Sequence, residues 1–221
     1  MTLNTLLSEK AGAASDRVFL LFKKEKLTFS DMEKRVSLTS GGLRKLGLSV
    51  QDRAAILMGN CPDYIVSYFA ILRAGGITIP LNTFLTPEEI SYILRDSGSK
   101  ILIYGPGFET LAEDVKKMLP GIRVIPFGEI PQEASDPYRG EEDDIAVLLY
   151  TSGTTGFPKG AMLTNRNLIS NVEAMVKVIN FTSRDRLLLF LPLFHSFSFT
   201  ACVLVPLYCG GSIVLLESVK P

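Results

Sequence analysis

The chain has 221 residues, of which 47% are apolar and 21% charged, enough for a buried core and unlike a disordered segment. Lysine plus arginine (23) balance aspartate plus glutamate (23), so no net charge draws the chain to nucleic acid or to an anionic membrane. Three cysteines (Cys61, Cys202, Cys209) without a C-x-x-C pair, beside one histidine, argue against a zinc site and suit a reducing cytoplasm; the first ten residues lack the basic-then-apolar pattern of a secretory leader.

In chain order, R-V-F-L-L-F (17–22) and K-L-T-F (26–29) predict an opening hairpin. Ser30 and Glu33 read as a capping box that starts a helix running to about Leu46, with Gly47 as its stop. D-R-A-A-I-L-M (52–58) predicts a strand, 62–74 a helix closed by Gly75 and Gly76, and I-T-I-P-L (77–81) a strand. Thr86, Pro87 and Glu89 give a second capping box, for a helix to about Asp96. K-I-L-I-Y (100–104), a helix over 108–118 and I-R-V-I-P-F (122–127) continue the alternation.

Residues 128–144 are polar, with proline and acidic residues, and read as a surface loop or linker. The E-E-D-D run (141–144) reads as solvated charge, not as a metal site. I-A-V-L-L-Y (145–150) is a buried strand. The stretch 187–216 carries no charged residue and is long enough to span a bilayer. Pro192, His195, Pro206 and the Gly210–Gly211 pair divide it, so it reads as strand, buried helix, strand. Strands alternating with helices give an α/β fold, with mainly parallel sheets flanked by helices and ligands beyond the carboxyl ends of the strands.

Residues 150–160 read Y-T-S-G-T-T-G-F-P-K-G. Glycines let the backbone come close to a ligand, consecutive amides make an anion-binding concavity, and the hydroxyls of Thr151, Ser152, Thr154 and Thr155 add donors. Lys159 adds a full positive charge, so the natural ligand is a polyphosphate. This is not a Walker A loop: Pro158 stands where the second glycine belongs, and Lys159 precedes Gly160, not a hydroxyl. K-G-A-M-L (159–163) reads as a second strand, which makes the loop a hairpin tip. The next helix starts only at its N-cap Thr164, so no helix dipole points at the phosphates.

T-S-G-T-T-G-F-P-K-G (151–160) resembles the signature loop of the adenylate-forming superfamily, which includes acyl-CoA synthetases, luciferases and the adenylation domains of peptide synthetases. L-T-N-R-N-L (163–168) is similar to another family motif, with Asn165 where histidine is usual. L-P-L-F-H-S-F (191–197) is similar to a third, with His195 aligned and Ser198 where glycine is frequent. N-C-P-D-Y (60–64) and L-R-A-G-G-I-T-I-P-L-N (72–82) resemble the family's N-terminal subdomain.

The resemblance implies an incomplete N-terminal portion of the large adenylation domain: a leading α/β part (1–127), the polar stretch (128–144) and a phosphate-loop part (145–221), with the C-terminal remainder absent. It implies ATP-dependent activation of a small-molecule carboxylic acid, medium- or long-chain fatty acid by preference, to an acyl-adenylate and then to acyl-CoA. ATP, Mg²⁺ and coenzyme A are the implied cofactors and co-substrates. Nucleotide binding would fall to Thr151, Ser152, Gly153, Thr154, Thr155, Gly156 and Lys159, and Mg²⁺ to Thr151 or Thr154. Lys159 and His195 would be the catalytic pair, His195 shaping or gating the acyl and adenylate pocket. On its own, a single histidine in an apolar stretch reads as a packed core residue. No Y-G-x-T-E or T-G-D motif occurs, so the 221 residues alone are expected not to turn over. The alternatives are an amino-acid or aryl-acid adenylation domain serving a carrier protein, or a non-catalytic truncated binding module. The expected location is cytoplasmic, without a spanning segment and with room for peripheral membrane contact.

Overall fold

The computed structural model describes residues 2–151 and 158–217. The chain opens with α1 (Leu3–Ala14), the hairpin β1 (Val18–Phe22) and β2 (Glu25–Thr28), and α2 (Phe29–Lys45). There follow β3 (Arg53–Leu57), α3 (Pro62–Arg73), β4 (Ile77–Pro80), α4 (Pro87–Ser97), β5 (Ile101–Tyr104), α5 (Glu109–Met118) and β6 (Arg123–Pro126). The last part holds β7 (Ile145–Thr151), β8 (Lys159–Thr164), α6 (Asn165–Ile179) and β9 (Arg186–Leu189). After these come α7 (Ser196–Phe199), a π-helical turn (Thr200–Leu204), α8 (Val205–Cys209) and β10 (Ser212–Leu215).

These strands make two sheets. One is six-stranded, in the order β6-β5-β3-β4-β7-β8, parallel except for the antiparallel β7–β8 hairpin. The other is four-stranded, β2-β1-β10-β9, parallel except for β1–β2. Parallel strands need helical crossovers, and those crossovers cover both faces. Along β3 the side chains accordingly alternate between two cores. Ala54 and Ile56 join the apolar cluster shared with α1, α2, α3 and the four-stranded sheet, and Ala55 and Leu57 join the cluster under α4 and α5. The 187–216 stretch forms strand, helix and strand as expected, and among the described residues no helix is long and apolar enough to cross a membrane.

One local reading needs correction. Helix α2 is capped not by Ser30 and Glu33 but two residues earlier. Thr28 Oγ1 accepts from the Asp31 amide (3.0 Å), and Asp31 Oδ2 accepts from the Thr28 amide (2.9 Å). Glu33 is drawn elsewhere: its carboxylate accepts from Arg73 (2.6 Å) and from Ser8 Oγ (2.8 Å), a partly buried ionic contact that outcompetes a cap. The N-terminal stretch, which shows no strong sequence signal, forms α1 and buries Leu3, Leu6, Leu7 and Ala11.

The polar stretch after β6 runs without regular structure from Pro131 to Gly140 across α2 and α3. Glu133 N–H donates to Leu38 O (3.0 Å), Tyr138 N–H to Arg73 O (2.8 Å) and Arg73 Nε to Ser135 O (2.8 Å). Glycines Gly41 and Gly42 sit mid-helix because a Cβ on either would overlap the carbonyl oxygens of Glu133 and Pro131. In the E-E-D-D run, Asp144 accepts from the Glu141 amide (2.8 Å) and Asp143 from Arg166 (2.9 Å). Among the described residues no group of three or more His, Cys, Asp or Glu could hold a metal ion.

Candidate active site

Strands β7 and β8 pair in a register that sets Thr151 against Lys159 and Tyr150 against Gly160, so the intervening loop is the tip of a hairpin. Thr151 and Lys159 are both exposed at its base. Of the residues expected to bind nucleotide, Ser152, Gly153, Thr154, Thr155 and Gly156 lie outside the described residues. Helix α6 begins only after β8. Thr164 Oγ1 accepts from the Asn167 amide (3.2 Å), and Asn167 Oδ1 accepts from the Thr164 amide (3.0 Å), so its dipole starts a strand's length from the loop. Asn165, the departure from the family motif, is buried. It accepts from the Leu3 amide (2.9 Å) and donates to Glu141 O (3.1 Å), tying α1 to the start of α6.

Beyond the carboxyl ends of β4 and β7 lies a cavity of about 410 Å³, lined by Pro80, Asn82, Glu89, Ile93, Thr151, Pro158, Phe194, His195 and Ser196, among others. It lies within the usual size range of small-molecule sites and at the edge where parallel sheets bind ligands. Both ends of the loop contribute, Thr151 on one side and Pro158 on the other. Lys159 adjoins Pro158 but does not itself line the cavity. A larger opening, about 550 Å³, lies at the amino ends of β5 and β6 between Gly47, Lys100 and Arg123 and touches none of these residues.

His195 is exposed toward the cavity and is not packed in the core. Its amide donates to Pro192 O (3.1 Å), its carbonyl accepts from the Phe199 amide (3.0 Å) at the start of α7, and its ring stacks on Phe194 with centroids 5.4 Å apart. Cys61 offers no rival chemistry. Burial pushes its thiol up to about 11, so no thiolate is present at neutral pH.

Sequence reasoning missed what braces the hairpin. Tyr150 lies across Gly160, where a Cβ would come within 3.0 Å of the ring, and its hydroxyl donates to Asp96 Oδ2 (2.6 Å) on α4. Burial, reinforced by this hydrogen bond, holds the phenol well above its ordinary range. Gly160 of the Pro-Lys-Gly run is thus a seat for the ring. Asp96 is 54 residues from Tyr150 in sequence, and nothing local announces the pair.

The sequence pattern of the AMP-binding enzyme family matches residues 7–221. The chain belongs to the AMP-binding enzyme family. Feruloyl-CoA synthase from Amycolatopsis sp is 36% identical to this family member over 198 residues, covering 88% of this chain and 40% of that protein. The long-chain-fatty-acid–CoA ligase of Bacillus subtilis (strain 168) is 29% identical over 262 aligned positions, covering 100% of this chain and 47% of that one. The crystal structure of ATP-bound MatB from Rhodopseudomonas palustris superposes with a TM-score of 0.88 at 30% identity, covering 100% of this chain and 46% of that chain. The chain spans 40% to 47% of the length of these proteins.

The donor set at the cavity suits a magnesium nucleotide. Mg²⁺ takes oxygen ligands, largely from phosphate and water, and needs little from the protein; the Thr151 hydroxyl at the rim is such an oxygen. Lys159, exposed at the hairpin base beside Pro158, would add a cation near such a nucleotide.

Proposed function

We propose that these 221 residues are the N-terminal portion of the large domain of an AMP-forming acid–thiol ligase. In this reading 1–127 is the leading α/β part, 128–144 the polar stretch that straps α2 and α3, and 145–221 the part that carries the phosphate loop. The observation that carries the reading is the shared cavity, which brings both ends of the loop and His195 together beyond the carboxyl ends of parallel strands.

The first half-reaction joins a substrate carboxylate to the α-phosphorus of ATP and expels pyrophosphate; in the second, the thiol of coenzyme A attacks the acyl carbonyl and AMP leaves. Two anions meet in the first step, so charge neutralisation and alignment are the main demands on the protein. Lys159 and the amides of Ser152, Gly153, Thr154, Thr155 and Gly156 would hold the β- and γ-phosphates. Mg²⁺, held by Thr151 or Thr154, supplies further positive charge when bound. His195 walls the pocket where acid and adenylate meet and is not a nucleophile.

A medium- or long-chain fatty acid is the preferred substrate, supported by the apolar A-C-V-L-V run (201–205) behind His195 and by the Bacillus relative's name. The feruloyl-CoA synthase relative favours an aryl acid as the second reading. Coenzyme A is the preferred thiol over a carrier protein, and the cytoplasm the preferred location, in keeping with three free cysteines. The experiment is acid-dependent ATP–pyrophosphate exchange by the enzyme that contains these residues, over a panel of fatty, aryl and amino acids. The expected result is exchange driven by fatty acids. Exchange driven only by aryl or amino acids would replace the substrate, and no exchange with any acid would remove the ligase reading. The 221-residue chain alone is expected to bind nucleotide weakly and to give no exchange.

A further inference from the structure

We propose that Asn60, whose side chain grips the backbone of the turn leading to His195, is a positioning residue for His195. It rests on the reading of His195 as a wall of the adenylate pocket. Asn60 follows β3 in the six-stranded sheet and is buried, with 6% of its surface exposed. Its Nδ2 donates to Leu191 O (3.0 Å) and to Leu216 O (3.1 Å), and its Oδ1 accepts from the Leu193 amide (2.9 Å). Leu191 and Leu193 flank Pro192 in the turn after β9, and Leu216 follows β10. One amide thus joins the carboxyl ends of strands from both sheets.

The grip is specific to this side chain. An asparagine amide carries two N–H donors and a carbonyl acceptor, and here both donors and the acceptor have backbone partners. Aspartate would set a carboxylate against two carbonyl oxygens, glutamine is a methylene longer, and an apolar residue would strand the buried Leu193 amide and take the side-chain partner from two part-buried carbonyls. The Leu193 amide and the Leu191 carbonyl lie on either side of a proline, which has no N–H of its own to anchor the turn.

From that grip to the site is a short path. Leu193 is buried (1% exposed), Phe194 and His195 both line the cavity with their rings stacked, and the His195 amide closes back on Pro192 O. The turn therefore has a fixed floor at Leu193 and delivers His195 at its rim. Release of the grip would leave Thr151 and Lys159 where they are and let the His195 wall shift.

His195 is the chain's only histidine, so its imidazole NMR signals are assigned without ambiguity in the 221-residue chain. In a folded Asn60→Ala variant those signals are expected to shift and broaden. An Ile103→Val core variant, which removes a buried methylene on the same sheet, is expected to leave them in place. Unmoved His195 signals in folded Asn60→Ala overturn the proposal. Should that variant not fold, Asn60→Ser, which keeps a hydroxyl and admits a water, is read in the same way. In the enzyme that contains these residues, Asn60→Ala is expected to lower kcat for exchange by about ten- to a hundredfold with the KM for ATP little changed. In a His195→Ala background it is expected to add almost nothing. Fully additive losses would overturn the route through His195. Exchange unaffected by His195→Ala would instead remove the role given to His195, while the NMR comparison still decides whether Asn60 holds it.

Discussion

Strands β3 and β8 belong to one sheet, yet they face opposite conditions. β3 sends Ala54 and Ile56 into one apolar cluster and Ala55 and Leu57 into another, and Ala54 to Leu57 are wholly buried. In β8, at the sheet edge, Lys159, Gly160, Ala161 and Met162 are exposed. The interior strands and the helices packed on them fix the frame, and the edge hairpin exposes Thr151 and Lys159 at the frame's carboxyl end. Substitutions should separate accordingly: changes in the frame should cost stability, and changes at the hairpin should cost chemistry.

The largest effect is expected at the ion pair of Arg73 and Glu33, which ties α2 to α3 while Arg73 also donates to Ser8 Oγ (2.9 Å) and to Ser135 O (2.8 Å). Arg73 is buried, so Arg73→Ala strands a partly buried carboxylate and should lower the unfolding free energy by roughly 3–5 kcal/mol in a urea titration. A loss below about 1 kcal/mol would mean that the frame does not depend on this pair.

Tyr150→Phe keeps the ring on Gly160 and deletes the hydroxyl that bonds Asp96. It should cost about 1 kcal/mol, and, since Tyr150 precedes Thr151, it should raise the KM for ATP more than it lowers kcat. An unchanged KM would detach the hairpin's tilt from nucleotide binding and weaken the division between frame and hairpin.

The smallest effect is at the α2 cap. Hydrogen bonds from the Thr28 side chain and amide hold the Asp31 carboxyl below its ordinary 3.8. A carboxyl whose pKa is lower folded than unfolded adds stability above its unfolded pKa, and that stability fades as pH falls through the folded value. Asp31→Asn should therefore slightly narrow the loss of thermal stability as pH falls from about 5 to about 3. An identical pH profile for both proteins would take the cap out of the account.

What the sequence discloses, and what it hides, follows the range of the interactions. The β7 and β8 strands and their pairing, the Thr86 and Thr164 caps and the division of 187–216 all rest on neighbours within a few residues, and composition and spacing reveal them. The true α2 cap lay two residues from the one expected, because Glu33 was already committed to Arg73, 40 residues away. Helix α1 escaped notice because Thr2 gives it no side-chain cap and instead donates to Arg139 O (2.7 Å), a contact across 137 residues. His195 and Thr151 share a cavity only because β4, β7 and the turn after β9 end at one edge of the molecule, and Asn60 reaches its partners across 131 to 156 residues. Such contacts leave no periodicity to read.

The central claim is that the β7–β8 hairpin presents its loop and Lys159 to the negatively charged tail of a nucleotide. ATP–pyrophosphate exchange by the Lys159→Ala variant of the enzyme that contains these residues, set beside its thermal unfolding, tests this most directly. Exchange is predicted to fall by about a hundredfold, and the midpoint of unfolding is predicted to hold, because Lys159 is exposed. Full exchange in a folded Lys159→Ala protein would contradict the account.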